Sequence, residues 1–123
     1  SYIGAGLLLW KDDANFARFE RAVNATTNTT FLKLDVFADG DVIVSRNLRL
    51  DNTNIRLQVI RSGRTVRFSH STNGNDWTLV QRVQVPLAGT LKTGVLAINS
   101  TATAPTMIQA MKPMVRGPFG SRP

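Results

Sequence analysis

The carboxyl side chains of this 123-residue chain are one glutamate, Glu20, and seven aspartates. Asp12, Asp13, Asp39, Asp41, Asp51 and Asp76 sit among Asn, Gly and Thr in stretches that read as turns, and Asp35 alone falls inside a strand pattern. Cleaving a glycosidic bond takes two carboxyls about 5 to 10 Å apart, one as acid and one as base or nucleophile. Glu20 and Asp35 are the one pair on neighbouring strands that offers this. Arg18 and Lys33 accompany them, and opposite charges paired across strands are routine, so the expected role of both carboxylates is a surface ion pair. The single histidine, His70, lacks a nucleophile and a base in register for a triad. It alternates with Val66 and Phe68 and reads as a half-buried strand residue. Asp12-Asp13 and Asp39-Gly40-Asp41 carry oxygens of the kind calcium takes, but EF-hand spacing is missing and the same residues are turn formers. Cysteine is absent, which excludes disulfides and thiolate metal sites. The expectation is a non-enzymatic protein with no metal site and no cofactor.

The elements that carry these residues are strands. From Asn54 to Leu87 apolar and polar residues alternate, as in Ile55, Leu57 and Val59, then Val66, Phe68 and His70, with reversals at Ser62-Gly63 and Asn73-Gly74-Asn75-Asp76. The same pattern extends over Ile3 to Trp10, Phe16 to Asn24, Thr30 to Ala38, Asp41 to Leu50, Thr78 to Val85, Lys92 to Asn99 and Thr106 to Val115. Asp, Asn and Gly clusters separate nearly all of them, including 51–54 and Leu87-Ala88-Gly89. Short strands at such spacing indicate a single all-β domain, sandwich or barrel, over residues 1–115, with an extended Pro- and Gly-containing tail over 116–123. Gly4 to Trp10 is apolar on both faces and belongs in the middle of a sheet. Its neighbours must come from later strands or from another segment, because it opens the chain.

The formal charge of +7 raises the question of nucleic acid. The basic residues are spread singly along the strands, as expected of a solvated sheet face, so nucleic acid is disfavoured and a polysaccharide preferred. No apolar run reaches the roughly 18 residues of a membrane helix, and no membrane partner is expected.

The run from Ala5 to Arg21, A-G-L-L-L-W-K-D-D-A-N-F-A-R-F-E-R, is followed by I-R-L-Q-V-I-R-S-G at Ile55 to Gly63, V-R-F-S-H-S-T-N-G-N-D-W-T-L-V at Val66 to Val80, and T-G-V-L-A-I-N-S at Thr93 to Ser100. Together these resemble the concanavalin A-like domain of unknown function named after a yeast regulator of enolase, related to accessory domains of bacterial glycoside hydrolases. Asn73 stands where that family commonly has Asp. The resemblance implies an antiparallel jelly-roll sandwich. It also implies strands upstream of Ala5 to Trp10, which this chain lacks, so the expectation is a domain completed by another polypeptide or an oligomer mate. The E-x-D-x-E run of hydrolases sharing the superfold is absent.

Jelly-roll modules hold sugars on a concave sheet face, rings against sugar faces and polar groups on hydroxyls. By alternation, Ala17, Phe19 and Val23 face the core while Phe16, Arg18 and Glu20 face outward, together with Gly6, Leu8 and Trp10 of the first strand. Trp10, Phe16, Arg18 and Glu20 are therefore the candidate ligand-binding residues. Trp77, after a tight turn, is expected to close an end of the sandwich. The function implied is a non-catalytic carbohydrate-binding or accessory module of a larger extracytoplasmic or secreted protein. The alternative is an assembly module pairing through its sheet edges.

Overall fold

Alternation decides which side of each strand is buried, and turn chemistry decides where each strand stops. The computed structural model describes residues 2–51, 54–84, 91–99 and 115–116. They form β1 (Tyr2–Asp12), β2 (Asn15–Asn24), β3 (Thr29–Ala38), β4 (Asp41–Arg49), β5 (Arg56–Ser62), β6 (Thr65–Ser71), β7 (Thr78–Gln84), β8 (Lys92–Asn99) and the two-residue β9 (Val115–Arg116). A first sheet has the order β4-β3-β2-β1-β8 and a second the order β7-β6-β5-β9. The fold is an all-β sandwich made of two antiparallel meanders, β1 to β4 and β5 to β7, after which β8 returns to the first sheet beside β1. Both neighbours of the apolar strand β1 thus belong to this chain.

Leu7, Leu9, Ala17, Phe19, Leu32, Leu34 and Val36 of the first sheet pack against Val59, Val66, Phe68, Val80 and Val83 of the second. The Phe19 and Phe68 rings meet edge-on across the layers, centroids 5.6 Å apart at 82°. That arrangement contributes about 0.5–1.5 kcal/mol beyond the area it buries. Ala17 and Phe19 face the core as their alternation requires, but Arg21, opposite Leu32, shares that side and is half-buried. At the β4 and β7 edges Arg46 joins the sheets: its Nη1 donates to the Val80 carbonyl at 3.1 Å and to Gln81 Oε1 at 3.0 Å. The Val80 carbonyl is exposed to this bond because Phe68 pairs with Gln81 and Ser69 with Leu79, leaving Val80 as the extra residue of a bulge.

The turns follow their side chains, with two differences. Asp39 and Gly40, both at positive φ (52° and 84°), form the two-residue loop of the β3–β4 hairpin. The β5–β6 reversal lies at Gly63-Arg64 rather than Ser62-Gly63, since Ser62 still pairs with Thr65 and only Gly63 needs positive φ. The second difference is β9, which runs parallel to β5 (Val59 opposite Val115, Ile60 opposite Arg116), so Arg116 belongs to a strand and not to the tail. The expected turn at 87–89, the greater part of the expected strand at 106–115, and the tail from 117 on lie outside the described residues.

His70 is half-buried opposite Leu57, on the side of β6 that carries Val66 and Phe68. Its Nδ1 is buried without a hydrogen-bond partner among the described residues, and burial lowers its pKa from the ordinary 6.5. The unfolded chain therefore binds a proton at higher pH than the folded one, and stability falls as pH drops below 6.5 toward the lowered value. In urea unfolding between pH 7.5 and 5, His70→Gln is expected to reduce the loss of stability seen in the parent protein. An identical pH dependence in both would show that His70 does not carry it.

Candidate functional site

Because strands alternate, the face of the first sheet turned away from the core is a grid of rows, each row one residue from each strand. The row nearest the β1–β2 and β3–β4 turns reads Lys92, Trp10, Phe16, Phe37 and Val42. Trp10 and Phe16 are 5.6 Å apart between centroids and tilted by 31°, and Phe16 stacks on Phe37 at 4.5 Å and 17°. All three rings are half-buried, so each keeps accessible surface.

Those turns hold the aromatic row in place. Asp12 Oδ1 accepts from the Ala14 amide and from Asn15 Nδ2, both at 2.9 Å, which holds the Asp12 carboxyl below its ordinary 3.8. Asn15 Oδ1 accepts the Asp39 amide at 3.0 Å, and the Ala14 carbonyl accepts the Gly40 amide at 2.9 Å. The two hairpin ends are thereby fastened to each other. Of the aspartates weighed as calcium ligands, Asp12 and Asp39 take part in these turns and Asp41 opens β4, and among the described residues no three acidic or imidazole side chains converge on a point.

The next row reads Gly94, Leu8, Arg18, Asp35 and Ser45. Arg18 Nη2 donates to Asp35 Oδ2 at 3.0 Å, Ser45 Oγ donates to Asp35 Oδ1 at 2.9 Å, and Lys33 Nζ lies 3.7 Å from Asp35 Oδ2. Asp35 makes the expected ion pair with Arg18, but beneath the surface rather than on it: its side chain is 8% exposed against 31% for Arg18. In the third row Glu20 stands between Gly6 and Lys33 and is fully buried. Gly6 is required there: a Cβ would lie 2.5 Å from Glu20 Cα and overlap the Phe19 carbonyl.

Trp10, Phe16, Arg18 and Glu20 therefore share one face, Trp10 directly opposite Phe16, but their exposure differs. Arg18 and the rings can be reached from solvent, whereas Glu20 is fully buried. Phe37, Lys33, Asp35 and Ser45 join the site beyond the four residues expected from sequence. Counting back equally from the turn at 25–28 along β2 and β3 puts Phe37 opposite Phe16, so that member was legible once the hairpin was assumed. Chemically the face combines an aromatic row with adjacent donors and acceptors.

Comparison with protein-family models, curated proteins and solved structures finds no match. What this face does must then be judged from its own chemistry.

Asp35 is expected to be worth more to the fold than an exposed ion-pair member, because its removal leaves the Arg18 guanidinium without its nearest anion. In urea unfolding, Asp35→Ala should cost about 1–2 kcal/mol, and a double-mutant cycle with Arg18→Ala should give a coupling of about 1 kcal/mol. Additive losses would mean that the bond contributes nothing.

Proposed function

We propose that the outer face of the first sheet binds carbohydrate, and that the protein is a non-catalytic binding or accessory module of a larger extracytoplasmic protein. One observation carries this reading: the row of Trp10, Phe16 and Phe37, rings 5.6 and 4.5 Å apart, beside the hydrogen-bonded row of Arg18, Asp35 and Ser45. Sugar rings present apolar C–H faces and equatorial hydroxyls, and a half-exposed aromatic shelf flanked by fixed donors and acceptors matches both. Asp35 already orients Arg18, which lowers the entropy lost when a hydroxyl is bound. The resemblance to concanavalin A-like jelly-roll domains supports the same reading.

A second reading has its own observation. Among the described residues β4 is an edge strand, and it exposes Val42 (52%) and Ile43 (47%) beside backbone donors and acceptors that no described strand pairs. Such an edge suits strand addition by another chain, which would make the protein an assembly module.

Affinity electrophoresis against a panel of neutral polysaccharides tests the first reading. Trp10→Ala is expected to weaken retardation by about tenfold in affinity, roughly 1.4 kcal/mol, and Trp77→Ala to leave it unchanged. Undiminished binding by Trp10→Ala contradicts the site. Light scattering on the same samples addresses the second: self-association abolished by Ile43→Lys would favour assembly.

A further inference from the structure

The two sheets differ in charge. Seven of the eight acidic residues precede residue 52, leaving Asp76 as the only one after it, whereas nine of the fifteen Lys and Arg follow. Asp76 is engaged within its own turn, where its Oδ2 accepts from Asn73 Nδ2 at 2.8 Å. The strands of the second sheet therefore carry arginines with no acidic residue among them.

Alternation places the exposed Arg56, Arg67 and Arg82 on the side of that sheet turned away from the core, and among the described residues none of the three is in an ion pair. Arg67 lies directly opposite Arg82 across β6 and β7. Like charges in that register destabilise a sheet, and nothing in the fold requires arginine at either exposed position. Arg56 lies at the other end of the face, opposite Ser71, four residues along β6 from Arg67, or about 13 Å at the strand rise. Its guanidinium rests on the bare backbone of Gly74: a Cβ there would be 2.5 Å from Nη1 and 2.8 Å from Cζ. Gly74 also has a φ of 84°, so the turn both requires glycine and leaves the arginine a seat. Beside it opens a recess of about 370 Å³ lined by Asn54, Ile55, Arg56, Thr72 and Asn73.

We infer that the outer face of the second sheet binds a linear anionic polysaccharide, Arg67 and Arg82 together holding one anionic group and Arg56, beside the recess, holding another about 13 Å away. A single small anion cannot bridge that distance, so the ligand is polyvalent. Paired guanidiniums suit sulfate or carboxylate groups, which they bind through parallel hydrogen bonds. The strand positions of this face carry no aromatic ring among the described residues, so the successive stacking platforms by which sheets bind single-stranded nucleic acid are missing. The anion's charge also relieves the Arg67–Arg82 repulsion, which the free protein bears unrelieved. This surface is independent of the glycan face proposed on the first sheet.

Heparin is a suitable probe, titrated by calorimetry into the full chain across a series of salt concentrations, with dextran and a single-stranded DNA of similar length as comparisons. The parent protein is expected to bind heparin with affinity falling as salt rises, whereas any binding of uncharged dextran should neither depend on salt nor change in Arg67→Gln/Arg82→Gln. Arg67→Gln/Arg82→Gln should weaken heparin binding at least tenfold and lower the salt slope by about two, following the counterion release that governs binding to linear polyanions. The same variant should have a Tm no lower than the parent's, because repulsion is removed, and this separates loss of affinity from loss of fold. Lys11→Gln/Arg49→Gln removes the same charge from the first sheet and should leave affinity within about twofold. Trp10→Ala should leave it unchanged, so the glycan face and this surface fail separately. Equal weakening by the two double variants would overturn the inference in favour of diffuse attraction, as would tighter binding of the DNA or no effect of Arg67→Gln/Arg82→Gln.

Discussion

The register of β1 between β2 and β8 is the constraint on which everything else rests. Leu7 pairs with Phe19 and Leu9 with Ala17 on the core side, while Leu8 pairs with Arg18 and Trp10 with Phe16 on the outer side. A slip of one residue would send Trp10 into the core and Leu7 and Leu9 to the surface. Since β1 is apolar on both faces, hydrophobic patterning alone specifies that register weakly. Gly6 adds what patterning lacks: β2 approaches too closely there for any side chain, and a slip of one residue either way would bring Ala5 or Leu7 against Glu20 instead of the glycine. The Asp12–Asn15 turn, tied to the β3–β4 hairpin through Asn15, fixes the other end.

From that register the sandwich divides its labour. The inner sides make an apolar core joined by the Phe19–Phe68 contact and closed at one edge by Arg46. The outer side of the first sheet gathers rings and a saturated ion pair, while the outer side of the second gathers arginines without carboxylates. Neither outer side is needed to bury the core. Their unlike chemistry, aromatic with a paired carboxylate on one and arginine without carboxylate on the other, is the ground on which a separate ligand class is proposed for each.

Strand positions, most turns, the core side of β2 and the common face of Trp10, Phe16, Arg18 and Glu20 were legible in the sequence, because alternation and turn chemistry are local. What was not legible depends on long-range pairing. The neighbour of β1 is β8, some ninety residues later, which no local pattern announces. Arginines spaced singly along β6 and β7 read as dispersed charge, and only the pairing of the strands sets Arg67 against Arg82. Glu20 reads as an outward carboxylate by parity, yet it is fully buried, because parity assigns a face and not a depth. The extra residue Val80, and with it the Arg46 bond between sheets, depends on a bulge that the sequence does not mark.

The two tryptophans offer the most direct measurement of the central claim, that the aromatic row of the first sheet is a carbohydrate-binding face. Trp10 lies in that row and Trp77 just ahead of β7 in the second sheet, so their indole N–H signals report on different parts of the molecule. In a two-dimensional NMR titration with a neutral oligosaccharide drawn from the polysaccharide that retards the protein, the Trp10 indole signal is expected to shift in a saturable way while that of Trp77 stays in place. Movement of Trp77 alone, or no movement of Trp10 at saturation, would contradict the account.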